Sequence, residues 1–349
     1  MAVLAEEPQV RFEPSSFASS PPEWRGLARD EVRLLVGTRE GIVHTHFRRI
    51  ADHLRPGDVL VVNRSATIAG EVDAAHEGRP IVLHVGAELE QGRRVVELRT
   101  APDAGRAVLD ASPGDVVEAG RAQLRLVEPW PTGRPSSPTG VGNRLWQASV
   151  EGDLTAALRR HGRPIAYGYL DRRFPLAAYQ TVFASVPGSA EMASAGRPFT
   201  HELVTDLVAG GVLFAPITLH TGFSSQEAGE APGPEWFEVP ASSARLVNEA
   251  RAAGARVIAV GTTATRAIES AVRGGRVTAA SGWTERVVTP ADPPRAVDGL
   301  VTGWHDPHAS HLLLVESVAG GALVQSSYDE AVAHGYLWHE FGDSALLIG

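Results

Sequence analysis

Residues 257–271 read VIAVGTTATRAIESA. Val257-Ile258-Ala259-Val260 is an apolar run too short for a helix and suited to a strand buried on both faces. The run breaks at Gly261. Thr262 and Thr263 follow with N-cap chemistry, ahead of a segment with helical spacing. A strand that turns into a helix in this way places an α/β unit in the C-terminal half. Ligands of open α/β sheets bind at the carboxyl ends of strands, and free N–H groups at a helix start suit a carboxylate or phosphate. Arg266 lies three or four residues into the helix, near enough to add a bidentate donor. The plainer reading is a capped turn whose arginine pairs with Glu269 or with solvent.

The same alternation extends on either side. Asp153 can cap LTAALRRHG (154–162), and Thr200 can cap HELVTDLVAGG (201–211) before the strand VLFAPITLH (212–220). Ser242 or Ser243 can cap ARLVNEARAAG (244–254), which leads into ARVIAV (255–260). Each helix has cap chemistry at its start and glycine at its end. Near the N-terminus, HLRPGDVLVVN (53–63) reads as a turn at Pro56-Gly57-Asp58 followed by a buried strand. Between 65 and 151 the character changes. EVDAA, IVLHVGAEL, RVVELRT, DVVEAG, AQLRLVE and RLWQASV are short strands between turn signals, a pattern of a small antiparallel barrel. The Pro/Gly/Ser run at 131–143 reads as an exposed hairpin loop. The expected fold is therefore α/β: a largely parallel sheet with flanking helices, plus an inserted small antiparallel β-barrel. Residues 1–64 and 152–349 would form the discontinuous α/β domain, and 65–151 the insert.

Composition narrows the chemistry. The chain has 349 residues and 43% hydrophobic content, enough for one large or two smaller cores. Its net charge of -9 means that a polynucleotide partner would have to meet a local arginine patch. There is no cysteine, which removes thiolate nucleophiles, disulfides and Cys-ligated metals. There is also no lysine, so all 32 basic side chains are arginine. Schiff-base chemistry and a lysine-bearing phosphate loop are excluded, and proton transfer falls to His, Asp, Glu or Tyr. The N-terminus carries acids where a signal peptide needs bases. The most apolar late stretch, 312–324, is interrupted by Glu316 and too short to span a bilayer. These features suggest a soluble, cytoplasmic protein without membrane contact.

Three further clusters stand out. TLHTG (218–222) brings Thr218 and His220 to a second strand end, where a lone histidine is commonly a packing residue. WHDPHASH (304–311) offers His305, Asp306, His308 and His311, with Pro307 suited to a first helical position, but its spacing matches no standard zinc motif, and no metal is expected. Arg25, Arg29 and Arg33, with Asp30 and Glu31 between them, read as a solvated mixed-charge face able to contact phosphates. Dinucleotide fingerprints, the G-x-S-x-G elbow and aromatic ribonucleoprotein motifs are absent.

Taken in order, RDEVRLLV (29–36), HTHFRRIADHLRPGDVLVVN (44–63), YQTVFA (179–184), PGS (187–189), SAGRPFT (194–200), GVLFAPITLHTG (211–222), EWFEVP (235–240), RVIAVGTTATRAIES (256–270), VDGLVTGWHDP (297–307) and YLWHEFGDSALLI (336–348) resemble one family across nearly the whole chain. This is the S-adenosylmethionine:tRNA ribosyltransferase-isomerase family of queuosine biosynthesis. The resemblance implies an α/β domain with an inserted barrel, in keeping with the layout above. It implies transfer of the ribosyl part of S-adenosylmethionine to 7-aminomethyl-7-deazaguanine in tRNA. The ribose rearranges to an epoxycyclopentanediol, giving epoxyqueuosine and releasing adenine and methionine. S-adenosylmethionine is then a co-substrate, no further cofactor is expected, and a monomer is the simplest state. The sulfonium acidifies the adjacent 5′ carbon, so a histidine or carboxylate suffices as the base. Carried onto this chain, the family's motifs make His220, Glu235, His305 and Asp343 the candidate catalytic residues. Thr218, Gly261, Thr262, Thr263, Arg266, Glu238, Thr302, Asn63 and Arg33 are the candidate substrate-binding residues.

The chain also departs from the family pattern. Pro198 and Gly233 stand where histidines are usual, and the stretch Asn63–Glu71 lacks two family arginines. These losses fall in motifs rather than core strands. They raise the alternative of a divergent paralogue with a non-tRNA or small-molecule acceptor, or of a non-catalytic protein that binds S-adenosylmethionine or tRNA.

Overall fold

A computed structural model describes residues 7–13, 16–132, 141–223, 232–307 and 309–349. The chain opens with β1 (Arg33–Thr38) and β2 (Gly41–His46), then β3 (Val59–Asn63) and the short β4 (Ser65–Thr67). Six strands follow: β5 (Glu71–His76), β6 (Arg79–Glu88), β7 (Arg94–Thr100), β8 (Val116–Ala119), β9 (Ala122–Pro129) and β10 (Leu145–Glu151). After α1 (Leu154–His161) come β11 (Val186–Ser189), α2 (His201–Ala209), β12 (Leu213–Leu219), β13 (Glu235–Val239), α3 (Ala241–Ala252), β14 (Val257–Val260) and α4 (Thr262–Ser270). The chain ends with β15 (Val272–Arg273), β16 (Arg276–Val277), β17 (Ala280–Thr284), β18 (Gly299–Gly303), α5 (His311–Ala319), α6 (Gly321–Ala333) and β19 (Ser344–Ile348). No helix among the described residues is long and apolar enough to cross a membrane.

The central sheet has nine strands in the order β17-β13-β12-β3-β14-β18-β19-β1-β2. It is mixed, not largely parallel. The pairs β12–β3, β3–β14, β14–β18 and β19–β1 are parallel, and the other four neighbouring pairs are antiparallel. Helical crossovers give parallel neighbours only at the centre. At the flanks, β1–β2 is a hairpin, and the last strand enters between β18 and β1, antiparallel to β18. Side chains alternate across the sheet as strand geometry requires. Val59, Val61, Val257 and Ala259 face α3–α6, whereas Leu60, Val62, Ile258 and Val260 face α2 and the 3-10 turn Phe47–His53.

Strands β5–β10 close into an antiparallel barrel in the order β10-β7-β6-β5-β8-β9. Its apolar core includes Leu83, Val96, Leu98, Leu124 and Trp146. On one side His84 lies buried between Glu97 Oε2 at 3.1 Å and Glu71 Oε2 at 3.3 Å. Arg163 and Arg173 reach Glu71, and Arg99 and Arg144 reach Glu97. Burial alone would raise both carboxyls. Hydrogen bonds from His84, with the arginines, outweigh it and hold both at about 2. The same two carboxylates raise His84 above its ordinary value despite burial.

Two of the four helix starts read from sequence hold, those at Asp153 and Thr200. Asp153 Oδ1 accepts from Ala156 N at 2.8 Å, and Thr200 Oγ1 from Leu203 N at 3.0 Å. Helix α3 begins earlier, at Ala241, so Ser243 lies in its first turn and donates to Pro216 O instead. The central part of the expected 131–143 loop, residues 133–140, lies outside the described residues.

Candidate functional site

Strands β3, β12, β14 and β18 run parallel, and their carboxyl ends bring together most of the polar residues singled out above. Gly261 makes the turn from β14 into α4 at φ 92, a left-handed backbone that a side chain would strain. An added Cβ would also come within 3.3 Å of Ala195. Gly261 itself is the N-cap residue of α4, and no side chain caps the helix. The threonine cap expected from sequence does not form, because the helix already begins at Thr262. The N–H groups of the first turn are thus left to face outward.

Beside this helix start lies a cleft that opens to solvent. Thr262, Thr263, Arg266, Glu235, Thr221 and His311 are among its lining residues. Arg266 does not pair with Glu269, which instead accepts from the backbone N–H groups of Arg295, Ala296 and Val297. Its guanidinium forms an ion pair with Glu235 and donates to the carbonyls of Gly233 and Arg286. Glu235 also accepts from Gly222 N at 2.8 Å. Burial raises the Glu235 carboxyl above its ordinary value, against the opposing pull of Arg266 and the Gly222 N–H.

On the far wall, His311 begins α5 with its ring stacked on His305 at 5.0 Å. His305 Nε2 lies 2.9 Å from Thr302 Oγ1, at the end of β18. Burial drives His305 well below the ordinary histidine range, helped by the charges of His311 and His339. Burial and Arg266 push His311 down to about 4. Both imidazoles are therefore neutral at pH 7. His305 and His311 do not share a helix, since α5 starts at His311; Asp306 instead meets His339 at 3.2 Å. His308 lies outside the described residues.

The remaining candidates divide by strand geometry. Thr218 on β12 and His220 just past its end, with Trp236 and Glu238 on β13, lie on the sheet face opposite Glu235, because side chains alternate and Thr218 pairs with Glu238. There Arg64 bridges Thr218 at 2.9 Å and Glu238 at 2.8 Å, and His220 stacks on Trp236 at 5.3 Å. Burial lowers His220 below its ordinary value. Asn63 joins the two faces, bonding both backbone groups of Leu219 and reaching Thr263 Oγ1 at 3.3 Å. A chain of hydroxyls also links them. Ser65 Oγ lies 2.8 Å from His220 Nδ1 and 2.6 Å from Ser189 Oγ, which accepts from Thr221 Oγ1 at 2.8 Å. Thr221 opens onto the cleft.

Asp343 and Arg33 stand apart from this cleft. Asp343 accepts from Arg33 N, Nε and Nη2 and from Leu337 N, all within 2.9 Å, and shapes the loop that precedes β19. Arg25 donates to Phe341 O in the same loop, and Arg29 pairs with Glu23. The three N-terminal arginines are thus internal ties, not a free phosphate-binding face. Sequence reasoning did not find Ser65, Ser189 or the pairing role of Arg64. The only available signal was a run of polar residues directly after a buried strand.

A model of a family described as "Queuosine biosynthesis protein" matches residues 10–347. The chain is 33% identical to a Moorella thermoacetica protein named S-adenosylmethionine:tRNA ribosyltransferase-isomerase, over 98% of this chain and 99% of that one. It is 34% identical to a Thermus thermophilus protein of the same name, over 92% of this chain and 93% of that one. A crystal structure of S-adenosylmethionine tRNA ribosyltransferase from Thermotoga maritima superposes with a TM-score of 0.52 at 27% identity, covering 97% of this chain and 98% of that one.

Proposed function

Because the chain belongs to the queuosine biosynthesis protein family, we infer that it is an S-adenosylmethionine:tRNA ribosyltransferase-isomerase. It moves the ribosyl part of S-adenosylmethionine onto 7-aminomethyl-7-deazaguanine in tRNA, giving epoxyqueuosine. The observation that carries this reading is one-third identity, end to end, to proteins named for the activity. A paralogue with another acceptor, or a silent binder, has no comparable support.

In this reading the cleft beside α4 holds the donor. The methionyl carboxylate lies against the uncapped N–H groups of Thr262 and Thr263, where the helix dipole favours an anion. Arg266, held by Glu235, adds positive potential without being free to clamp the ligand itself. The Glu235 carboxylate faces the sulfonium across the same wall. The sulfonium draws electron density from the 5′ carbon, and the neutral His311 imidazole takes the proton released there. His305, held by Thr302, supports that ring by stacking. His220, Thr218, Glu238 and Asn63 set the opposite wall through the hydroxyl chain that reaches Thr221. Asp343 and Arg33 act at a distance, by shaping the loop before β19. We also assign residues 1–64 and 152–349 to one unit that carries this cleft, and 65–151 to an inserted barrel. Phe223, on the cleft wall, packs against Gly86 of the barrel, where an added Cβ would lie 2.8 Å from its ring.

The test is incubation with S-adenosylmethionine, with and without tRNA carrying the aminomethyl base, while adenine is followed by chromatography. Adenine release that depends on that tRNA is the expected result. Release without tRNA, or none in its presence, would remove this function.

A further inference from the structure

The last turn of α6 lies beside the edge of the central sheet. β2 ends the strand order there and pairs with β1. Helix α6 packs across β1, and it comes close because position 37 is glycine: an added Cβ there would lie 2.8 Å from Ser327 Oγ. Side chains alternate along β2, so His44 shares a face with Ile42, which packs on the same apolar core as α6. Glu330 and His334, the C-cap residue, are four positions apart and project from one side of α6. Residue 44 is 286 positions from residue 330, so no spacing along the sequence announces that these side chains meet. Nothing in the proposed reaction uses them.

Glu330 Oε2 lies 3.3 Å from His44 Nε2 and 3.1 Å from His334 Nδ1. One ligand atom from each of the three residues lies within 4.8 Å of the other two. An ion bound tetrahedrally at the usual Zn–N and Zn–O lengths sets its ligands about 3.3 Å apart. Two of the three edges already have that spacing. The donors are also held as metal ligands are. Tyr336 Oη lies 2.9 Å from His44 Nδ1, which orients the ring and leaves Nε2 for a metal. Burial pushes the Tyr336 hydroxyl up to about 12, so it stays a phenol able to accept from Nδ1–H. His334 Nδ1 also lies 2.9 Å from Glu330 O, but that carbonyl keeps the His334 backbone N–H at 3.0 Å if the ring turns to a metal. Arg33 brings a positive charge near, 4.3 Å over the Tyr336 ring, but it is paired with Asp343 at 2.7 Å. The carbonyl end of α6 favours a cation.

We propose that His44, Glu330 and His334 form a binding site for a divalent transition-metal ion, zinc being the best fit, which clips the edge strand β2 to the end of α6. Two imidazoles and one carboxylate suit zinc, nickel or copper; magnesium asks for an octahedron of oxygens. Three protein ligands leave a fourth position to water. The plainer account of the same geometry is a carboxylate hydrogen-bonded between two imidazoles, an exposed ion pair worth little to stability. The two accounts differ in how the protein responds to added metal. The site stands apart from the donor cleft and does not depend on the tRNA reading.

The test uses untagged, full-length protein, stripped of metal with a chelator and titrated with zinc chloride in a calorimeter. A single equivalent should bind, and zinc in excess should raise Tm, because it binds the folded chain. His44→Ala, His334→Ala and Glu330→Gln should each weaken that binding by about tenfold or more and reduce the rise in Tm. His44 and His334 are exposed and Glu330 is half-buried, so the metal-free Tm of the variants should stay close to that of wild type. Magnesium chloride at the same concentration should leave the zinc isotherm unchanged. Zinc affinity no tighter than about 1 mM would overturn the inference. Binding that persists unchanged in His44→Ala and His334→Ala would overturn it too, as would displacement of zinc by an equal concentration of magnesium.

Discussion

Replacing Arg266 by methionine tests whether the ion pair with Glu235 organises the cleft. The two side chains are 7% and 14% exposed, so this is a nearly buried pair. Arg266 also donates to the carbonyls of Gly233 and Arg286. Removing one partner of a buried pair typically costs about 3–5 kcal/mol, mostly because the other charge stays buried and uncompensated. Each carbonyl left unsatisfied adds about 1 kcal/mol, not fully additively. We expect Arg266→Met to lose about 4 kcal/mol, read by calorimetry as a fall in Tm of about 5 °C. Glu235→Gln/Arg266→Met should recover about 2 kcal/mol of this, because the amide needs no counter-ion. The pH dependence follows the same cause. A carboxyl whose folded-state value is raised contributes stability below its ordinary 4.5 and loses it as pH rises through the folded value. Without Arg266 the Glu235 carboxyl rises further, so the deficit of Arg266→Met should shrink between pH 7 and pH 5. S-adenosylmethionine binding should weaken in the single variant. A single variant that loses less than about 1 kcal/mol, or a double variant as unstable as the sum of the singles, would refute the reasoning.

The barrel cluster makes a second prediction. Glu71 and Glu97, held at about 2, contribute stability above 4.5 that is lost as pH falls toward 2. His84, raised above 6.5, contributes stability that is full below 6.5 and lost as pH rises through its folded value. Tm should therefore peak between about 4.5 and 6.5, and His84→Gln should flatten the alkaline limb; an unchanged limb would exclude this cluster as its source. Gly188→Ala would place a methyl group 2.5 Å from the His220 ring, forcing it off Ser65 and Trp236. Turnover should drop by about 100-fold, the scale of a 1 Å misplacement, while donor affinity holds; full turnover would remove His220 from the working site.

The unit that fixes the fold was legible because local rules decide it. Val257–Val260 is too short and too apolar for anything but a buried strand, and Gly261 supplies the left-handed turn that a side chain would resist. The barrel strands show their alternation directly, and Asp153 and Thr200 cap helices where their side chains reach three residues ahead. The partner of Arg266 was not legible in this way. Glu269 is the local choice on the helix, but it turns to the backbone at 295–297, and the arginine meets Glu235, 31 positions away.

The sequence by itself determined the elements, the caps of α1 and α2, and the family, since these depend on neighbours within a turn or on the order of motifs along the chain. Only the tertiary structure decided that the sheet is mixed, that His220 and Glu235 face opposite sides of it, and that Asp343 serves a loop apart from the donor cleft. Strand direction follows from where the last strand finds an edge. The pairing of a buried charge follows from which opposite charge is buried with it. Both are long-range matters of packing and desolvation, with no period along the chain to reveal them.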